Sequence, residues 1–175
     1  MARYIPALPQ KTNRASQAIL AEATFVCPAY WLATAYTGGA GKSSYSYQYS
    51  VPFAYHGSDV AAYFGPATPN QGPVFTQAFR KIWGNFITTG NPKPPSGPGI
   101  PSTWPAWTDG ASPTLLNLNT TGGVPYRSQV IAWTVTQYMD PGLKNNFTLA
   151  NARTWEGGRG NRCDFWKSIG PQVPE

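Results

Sequence analysis

Ser44-Tyr45-Ser46-Tyr47-Gln48-Tyr49-Ser50 leads within a few residues into Tyr55-His56-Gly57-Ser58-Asp59. Polar residues alternate with tyrosine at period two, the pattern of a strand with one packed face. A histidine just beyond the end of a strand stands where catalytic side chains sit in open α/β sheets. His56 is the only histidine in the 175 residues. Its ordinary pKa lies near neutrality, so it is the natural general base if the chain takes part in hydrolytic acid–base chemistry. Taken alone, a single histidine is more often a structural or surface residue, so the rest of the sequence has to decide.

On the N-terminal side, Ile19, Ala23, Val26 and Tyr30 recur at i, i+4, i+7 and i+11. This predicts one apolar helix face, with the helix running from Asn13 or Ser16 to about Val26. Pro28 suits the first turn of a second helical stretch or a kink, and Gly38-Gly39 ends it. On the C-terminal side the clearest helix spans Pro73 to Thr88. Phe75, Phe79, Ile82, Trp83 and Phe86 form its core stripe, Arg80 and Lys81 face solvent, and Gly90 caps it. The proline- and glycine-rich stretch from Asn91 to Pro105 reads as a loop. Short strands are expected at Leu115-Leu116-Asn117-Leu118-Asn119 and from Val130 to Thr136. The glycine-rich Trp155-Glu156-Gly157-Gly158-Arg159-Gly160 leads to a short closing helix at Cys163-Asp164-Phe165-Trp166.

Composition sets the bounds. The chain has the length of one domain. Only 11% of it is charged, against roughly 25% in an average globular protein, while 14% is aromatic. That describes a loop-rich fold packed on aromatic rings. The net charge of +6 is spread along the chain with no basic block, so no nucleic-acid partner is expected. No run approaches about 18 consecutive apolar residues, so no transmembrane segment is expected. The N-terminus lacks the apolar core of a signal peptide. Yet Asn119-Thr120-Thr121 and Asn146-Phe147-Thr148 are glycosylation sequons, and two distant cysteines are compatible with one disulfide in a secreted protein. Secreted character without a secretion signal implies that further sequence precedes this chain.

Several motifs fail on inspection. Gly38-Gly39-Ala40-Gly41-Lys42-Ser43 resembles a phosphate loop, but Tyr36 stands where the pattern needs glycine, and the loop follows a helix instead of opening one. One histidine and two distant cysteines make no metal site, and no cofactor is implied. No Gly-x-Ser-x-Gly occurs, so the base is present without a nucleophile to activate.

The order of the remaining motifs carries a resemblance. Ala23-Thr24-Phe25-Val26-Cys27-Pro28 comes first, then His56-Gly57-Ser58-Asp59 with Tyr63-Phe64-Gly65. Trp83-Gly84-Asn85-Phe86 with Thr89-Gly90-Asn91-Pro92, Trp104-Pro105-Ala106-Trp107, Leu116-Asn117-Leu118 and Arg162-Cys163-Asp164-Phe165-Trp166 follow. Together they resemble the C-terminal part of the type B carboxylesterase family, which includes cholinesterases and fungal secreted esterases and lipases. The resemblance covers essentially the whole chain, residues 1–175 as one segment with no second domain. It implies an α/β fold, the helices and last strands of the central sheet of an α/β-hydrolase, incomplete as a stand-alone domain.

It also implies that His56 is the triad histidine of a serine carboxylic-ester hydrolase, with Gly57 and Ser58 shaping its loop and Asp59 anchoring it. Cys27 and Cys163 pair, Asn119 and Asn146 carry sugar, and the parent is extracellular. The substrate in the complete enzyme is a small carboxylic ester or a lipid. The family's nucleophile, acid and oxyanion glycines lie upstream, so the isolated chain is expected to be inactive and to aggregate or lack a cooperative melt. Two other readings remain: an aromatic-rich carbohydrate-binding module, and a non-catalytic cholinesterase-like paralogue with a structural or adhesive role.

Overall fold

The computed structural model describes residues 11–39, 41–130 and 133–172. Ala40 in the glycine-rich connector and Ile131 and Ala132 in the expected Val130–Thr136 strand lie outside them, as does the N-terminal stretch that was tested for a signal peptide. The chain divides into two compact units, each built from discontinuous stretches.

The first unit takes in residues 1–46, 105–115 and 150–175. Helix α1 (Lys11–Ala21) runs through a π-turn (Glu22–Val26) into α2 (Cys27–Ala35), with Pro28 in the first turn of α2. The expected apolar face is rotated. Ile19 is half exposed and Ala23 is exposed, while Ala21, Glu22, Cys27, Tyr30 and Ala33 are buried. The π-turn is the reason: it adds a residue to one turn, so a 3.6-residue stripe read across it falls out of register. From Ala15 to Ala35 the helix is 21 residues long and contains an 18-residue stretch of mean hydropathy 1.3, enough by length and composition to cross a bilayer, where no such segment is expected from the sequence. Its C-terminal half is nevertheless a core element. Cys27, Tyr30 and Ala33 cluster with Trp107, Leu115, Ala152 and Cys163.

The closing helix α5 (Trp155–Ile169) is much longer than the four residues expected, but its first turn is broken. Glu156, Gly157 and Gly158 adopt left-handed backbone, which the glycines permit. Gly160 then lies so close to Arg153 that a Cβ would fall 2.5 Å from the Arg153 Cα. Cys163 is bonded to Cys27, with 5.1 Å between their Cα atoms and a sequence separation of 136. Beside the disulfide, the buried Glu22 carboxylate accepts from Arg162 at 2.7 and 3.0 Å and from the Trp166 indole at 3.3 Å. The Glu22 hydrogen bond raises the Arg162 pKa.

The second unit holds residues 47–104 and 116–149. Helix α4 (Gly72–Thr89) organises it, ending on a left-handed Gly90 as expected. Phe75, Ala78, Phe79 and Ile82 are buried, and Arg80 and Lys81 are exposed. Phe86, assigned to the stripe from its spacing, is 39% exposed at the helix end. The rings of Phe75 and Phe79 stack at 5.7 Å, and Phe147 meets Phe75 edge-on at 5.5 Å.

Strand β1 (Ser46–Tyr49) is shorter than the seven-residue alternation. It lies beside β2 (Thr114–Leu118) in a three-stranded sheet of order β1-β2-β5, β5 being Thr148–Asn151. Within this unit the middle strand is buried on both faces, Leu116, Asn117 and Leu118 all being 6% exposed or less.

The expected strand from Val130 to Thr136 is in fact two. Strand β3 (Thr120–Val130) and strand β4 (Trp133–Asn145) form an antiparallel pair in which Val130 faces Trp133. The expected run is therefore divided between the two strands. Near its base the register shifts between Gly122 and Val124. Gly122 and Gly123 both have positive φ there, and a Cβ on either would meet a β4 carbonyl oxygen, 2.6 Å away for Gly122 and 2.7 Å for Gly123.

Candidate functional site

The second unit presents His56 on a hydrogen-bonded turn between β1 and α3 (Val60–Phe64). The Ser58 amide and hydroxyl both donate to the Tyr55 carbonyl, at 3.1 and 2.7 Å, and the Val60 amide donates to Gly57 at 3.1 Å. Gly57 lies at φ +81°, which lets the chain reverse beside the histidine without a Cβ penalty. His56 and Gly57 are exposed, whereas Ser58 and Asp59 are half-buried.

Asp59 anchors the turn. Its Oδ2 accepts from the Tyr47 hydroxyl at 3.0 Å and the Tyr63 hydroxyl at 3.2 Å, and the two hydroxyls also bond each other. Tyr47 comes from β1. Tyr63 comes from α3, four residues beyond Asp59, so one helical turn brings its ring back over the carboxylate. Both rings rest on α4. Tyr47 meets Phe79 and Trp83 edge-on at 6.0 and 6.3 Å, and Tyr63 lies 4.7 Å from Phe79 and 5.1 Å from Trp83. Burial pushes the Tyr63 hydroxyl up to about 12 and raises those of Tyr47 and Tyr49 further. All three stay protonated at neutral pH, and Tyr47 and Tyr63 donate to Asp59 as that contact requires.

A second anchor reaches the backbone. The fully buried Gln71 donates from Nε2 to the Ser58 carbonyl at 3.0 Å and to the Tyr49 hydroxyl at 3.1 Å. Arg80 on α4 donates to the Ala62 carbonyl at 2.9 Å, satisfying a group in the short helix that follows the turn.

Of the residues marked out in the sequence, His56, Gly57, Ser58 and Asp59 therefore share one braced turn. Tyr47, Tyr63 and Gln71 were missed as site residues. The first belongs to the tyrosine alternation and the second has a legible i+4 spacing, but nothing in the sequence marks Gln71. Among the described residues there is no cluster of three or more potential metal ligands. Asn146 is exposed, so its amide is open to sugar attachment. Asn119 is only 5% exposed, and its Oδ1 accepts from the Thr120 amide at 2.8 Å.

In the first unit a cleft of about 270 Å³ is lined by Tyr30, Trp31, Trp107, Asp109, Arg153 and Asp164, among others. Trp107 is 3% exposed and its indole donates to Thr34 at 3.0 Å, so Trp31 is the more open of the two indole walls.

Comparison of the chain with protein-family models, with curated proteins and with solved structures finds no match.

Proposed function

We propose that the chain is the C-terminal part of a secreted serine carboxylic-ester hydrolase and that His56 is its general base. The observation that carries this reading is the braced turn: an exposed histidine on a backbone held by the half-buried Asp59–Tyr47–Tyr63 cluster and by the buried Gln71. Positioning of this kind is what general-base catalysis needs and what a surface histidine does not. The Cys27–Cys163 bond, implied by the family resemblance, also supports it. So do the uncovered apolar side chains, Phe64 at 85% and Ile87 at 77% exposed, which a further segment of the fold would cover.

In the complete enzyme His56 takes the proton of a serine supplied from upstream, returns it to the leaving alcohol, and then activates water to release the acyl group. Asp59 is not the triad acid in this scheme, because its Oδ2 is committed to Tyr47 and Tyr63. It holds the turn, and the acid comes from upstream with the serine. The substrate is a small carboxylic ester or a lipid.

The test is hydrolysis of a short p-nitrophenyl ester. The isolated chain has no turnover that depends on His56. Joined to its upstream segment it hydrolyses the ester, and His56→Ala abolishes this while the melt is unchanged. Full activity of the joined His56→Ala protein would overturn the reading.

The aromatic cleft of the first unit favours a second reading, carbohydrate binding by stacking on Trp31. Retention on insoluble polysaccharide that is lost in Trp31→Ala would establish it. With the other indole wall almost wholly buried, it is the weaker of the two.

A further inference from the structure

We propose that Gln71 is the positioning residue for His56. This rests on the reading of His56 as a base, but the geometry behind it concerns the turn alone. Gln71 is 0% exposed, and each polar atom of its carboxamide is used. Oε1 accepts from the Thr68 amide at 3.2 Å, and the two N–H groups of Nε2 go to the Ser58 carbonyl and the Tyr49 hydroxyl.

Its own place is fixed independently of the turn. It is the residue that precedes α4, its backbone amide donates to Thr68 at 3.0 Å, and the helix beyond it is held by the Phe75–Phe79 core. From that fixed point it reaches β1 at Tyr49 and the carbonyl two residues after His56. The Asp59 anchor holds the next residue by its side chain, and the Ser58 amide goes to Tyr55, leaving the Ser58 carbonyl to Gln71.

The two partners differ in what they lose without the carboxamide. The Tyr49 hydroxyl only accepts from Nε2 and keeps its own O–H to donate elsewhere, but the carbonyl of the half-buried Ser58, in a tight turn, can only accept. An apolar residue of equal volume would fill the space and release the turn.

The experiment compares Gln71→Met, Gln71→Glu and Tyr49→Phe with the wild-type full chain. Met keeps the volume without donors. Glu keeps the acceptor for Thr68 and loses both donors. Phe removes only the Tyr49 partner. Deuterium uptake is read by mass spectrometry over residues 55–62, with residues 73–89 of α4 as the internal reference. The rate at which diethyl pyrocarbonate modifies His56, the sole imidazole, is read alongside.

Both Gln71 variants are expected to exchange severalfold faster over 55–62 and to change the His56 modification rate severalfold, with 73–89 unchanged and Tyr49→Phe at wild-type values. Equal acceleration of 73–89 in both Gln71 variants, an unchanged turn, or the same effect from Tyr49→Phe would overturn the proposal. Neither readout uses an ester, so failure of the hydrolase reading would appear in the esterase assay and not here.

Discussion

The two units hold distant segments together by different chemistry. In the first, α2 and the π-turn are tied to α5 by a disulfide 136 residues long in sequence and by an ion pair between Glu22 and Arg162 spanning 140. In the second, the His56 turn is tied across only 4 to 22 residues by hydroxyl and carboxamide hydrogen bonds over stacked rings, with the Asp59 carboxylate accepting from two hydroxyls. Long closures in the first are made by a covalent bond and an ion pair. The His56 turn needs neither, because its partners are near in sequence and apolar rings supply the burial. The first should therefore fail under reduction or charge neutralisation, and the second in alkali.

The largest effect expected is that of the disulfide. Closing a loop of this length stabilises the folded chain by roughly 5 kcal/mol through lost entropy of the unfolded state. In the protein joined to its upstream segment, Cys163→Ser, or reductant added to the wild type, should lower the melting temperature by many degrees. Equal melts with and without reductant would break the comparison at its strongest point.

Next comes the ion pair. The Glu22 side chain is 7% exposed and that of Arg162 is 41% exposed, so the arginine recovers part of its hydration when its partner is lost. Glu22→Gln should cost about 2 kcal/mol, below the usual range for breaking a fully buried pair, as a shift in denaturant midpoint. A change under a few tenths would mean that the disulfide alone closes this unit.

The smallest effect at neutral pH belongs to the tyrosines, because it appears only in alkali. The folded Tyr63 hydroxyl lies near 12, above its ordinary value of 10.0, and burial is the main cause. A group raised by folding stabilises the fold fully below its unfolded pKa and loses that contribution as pH rises through the folded one. The second unit should therefore loosen between about pH 10 and 12, with delayed tyrosinate absorbance. Tyr47→Phe should widen that delay for Tyr63, because the hydrogen bond from Tyr47 lowers the Tyr63 pKa. Titration of every tyrosine near 10 would show that the ring cluster is not closed to water.

How far these regions can be read from sequence differs in the same way. Helix α4 and the strand before His56 were legible, since an uninterrupted period of 3.6 or 2 reports one packed face. The stripe through Ile19 and Ala23 misled because the π-turn resets the period in its middle. The β3–β4 pair was hidden because Gly122, Gly123, Pro125 and the Asp140-Pro141-Gly142 stretch look like turns, although here they form a bulge and part of a long strand. The Cys27–Cys163 pairing came from the family resemblance and from nothing in the spacing. Gln71 could not be found at all, because a buried carboxamide acts through partners that only the fold brings to it.

The central claim is that His56 is one member of a triad completed by residues encoded ahead of this chain. Sequencing the transcript 5′ of the Met1 codon tests it most directly. The account predicts an in-frame Gly-x-Ser-x-Gly followed by an acidic residue and, farther upstream, a secretion signal. An in-frame stop just ahead of Met1, with no such serine motif in the same frame, would contradict it.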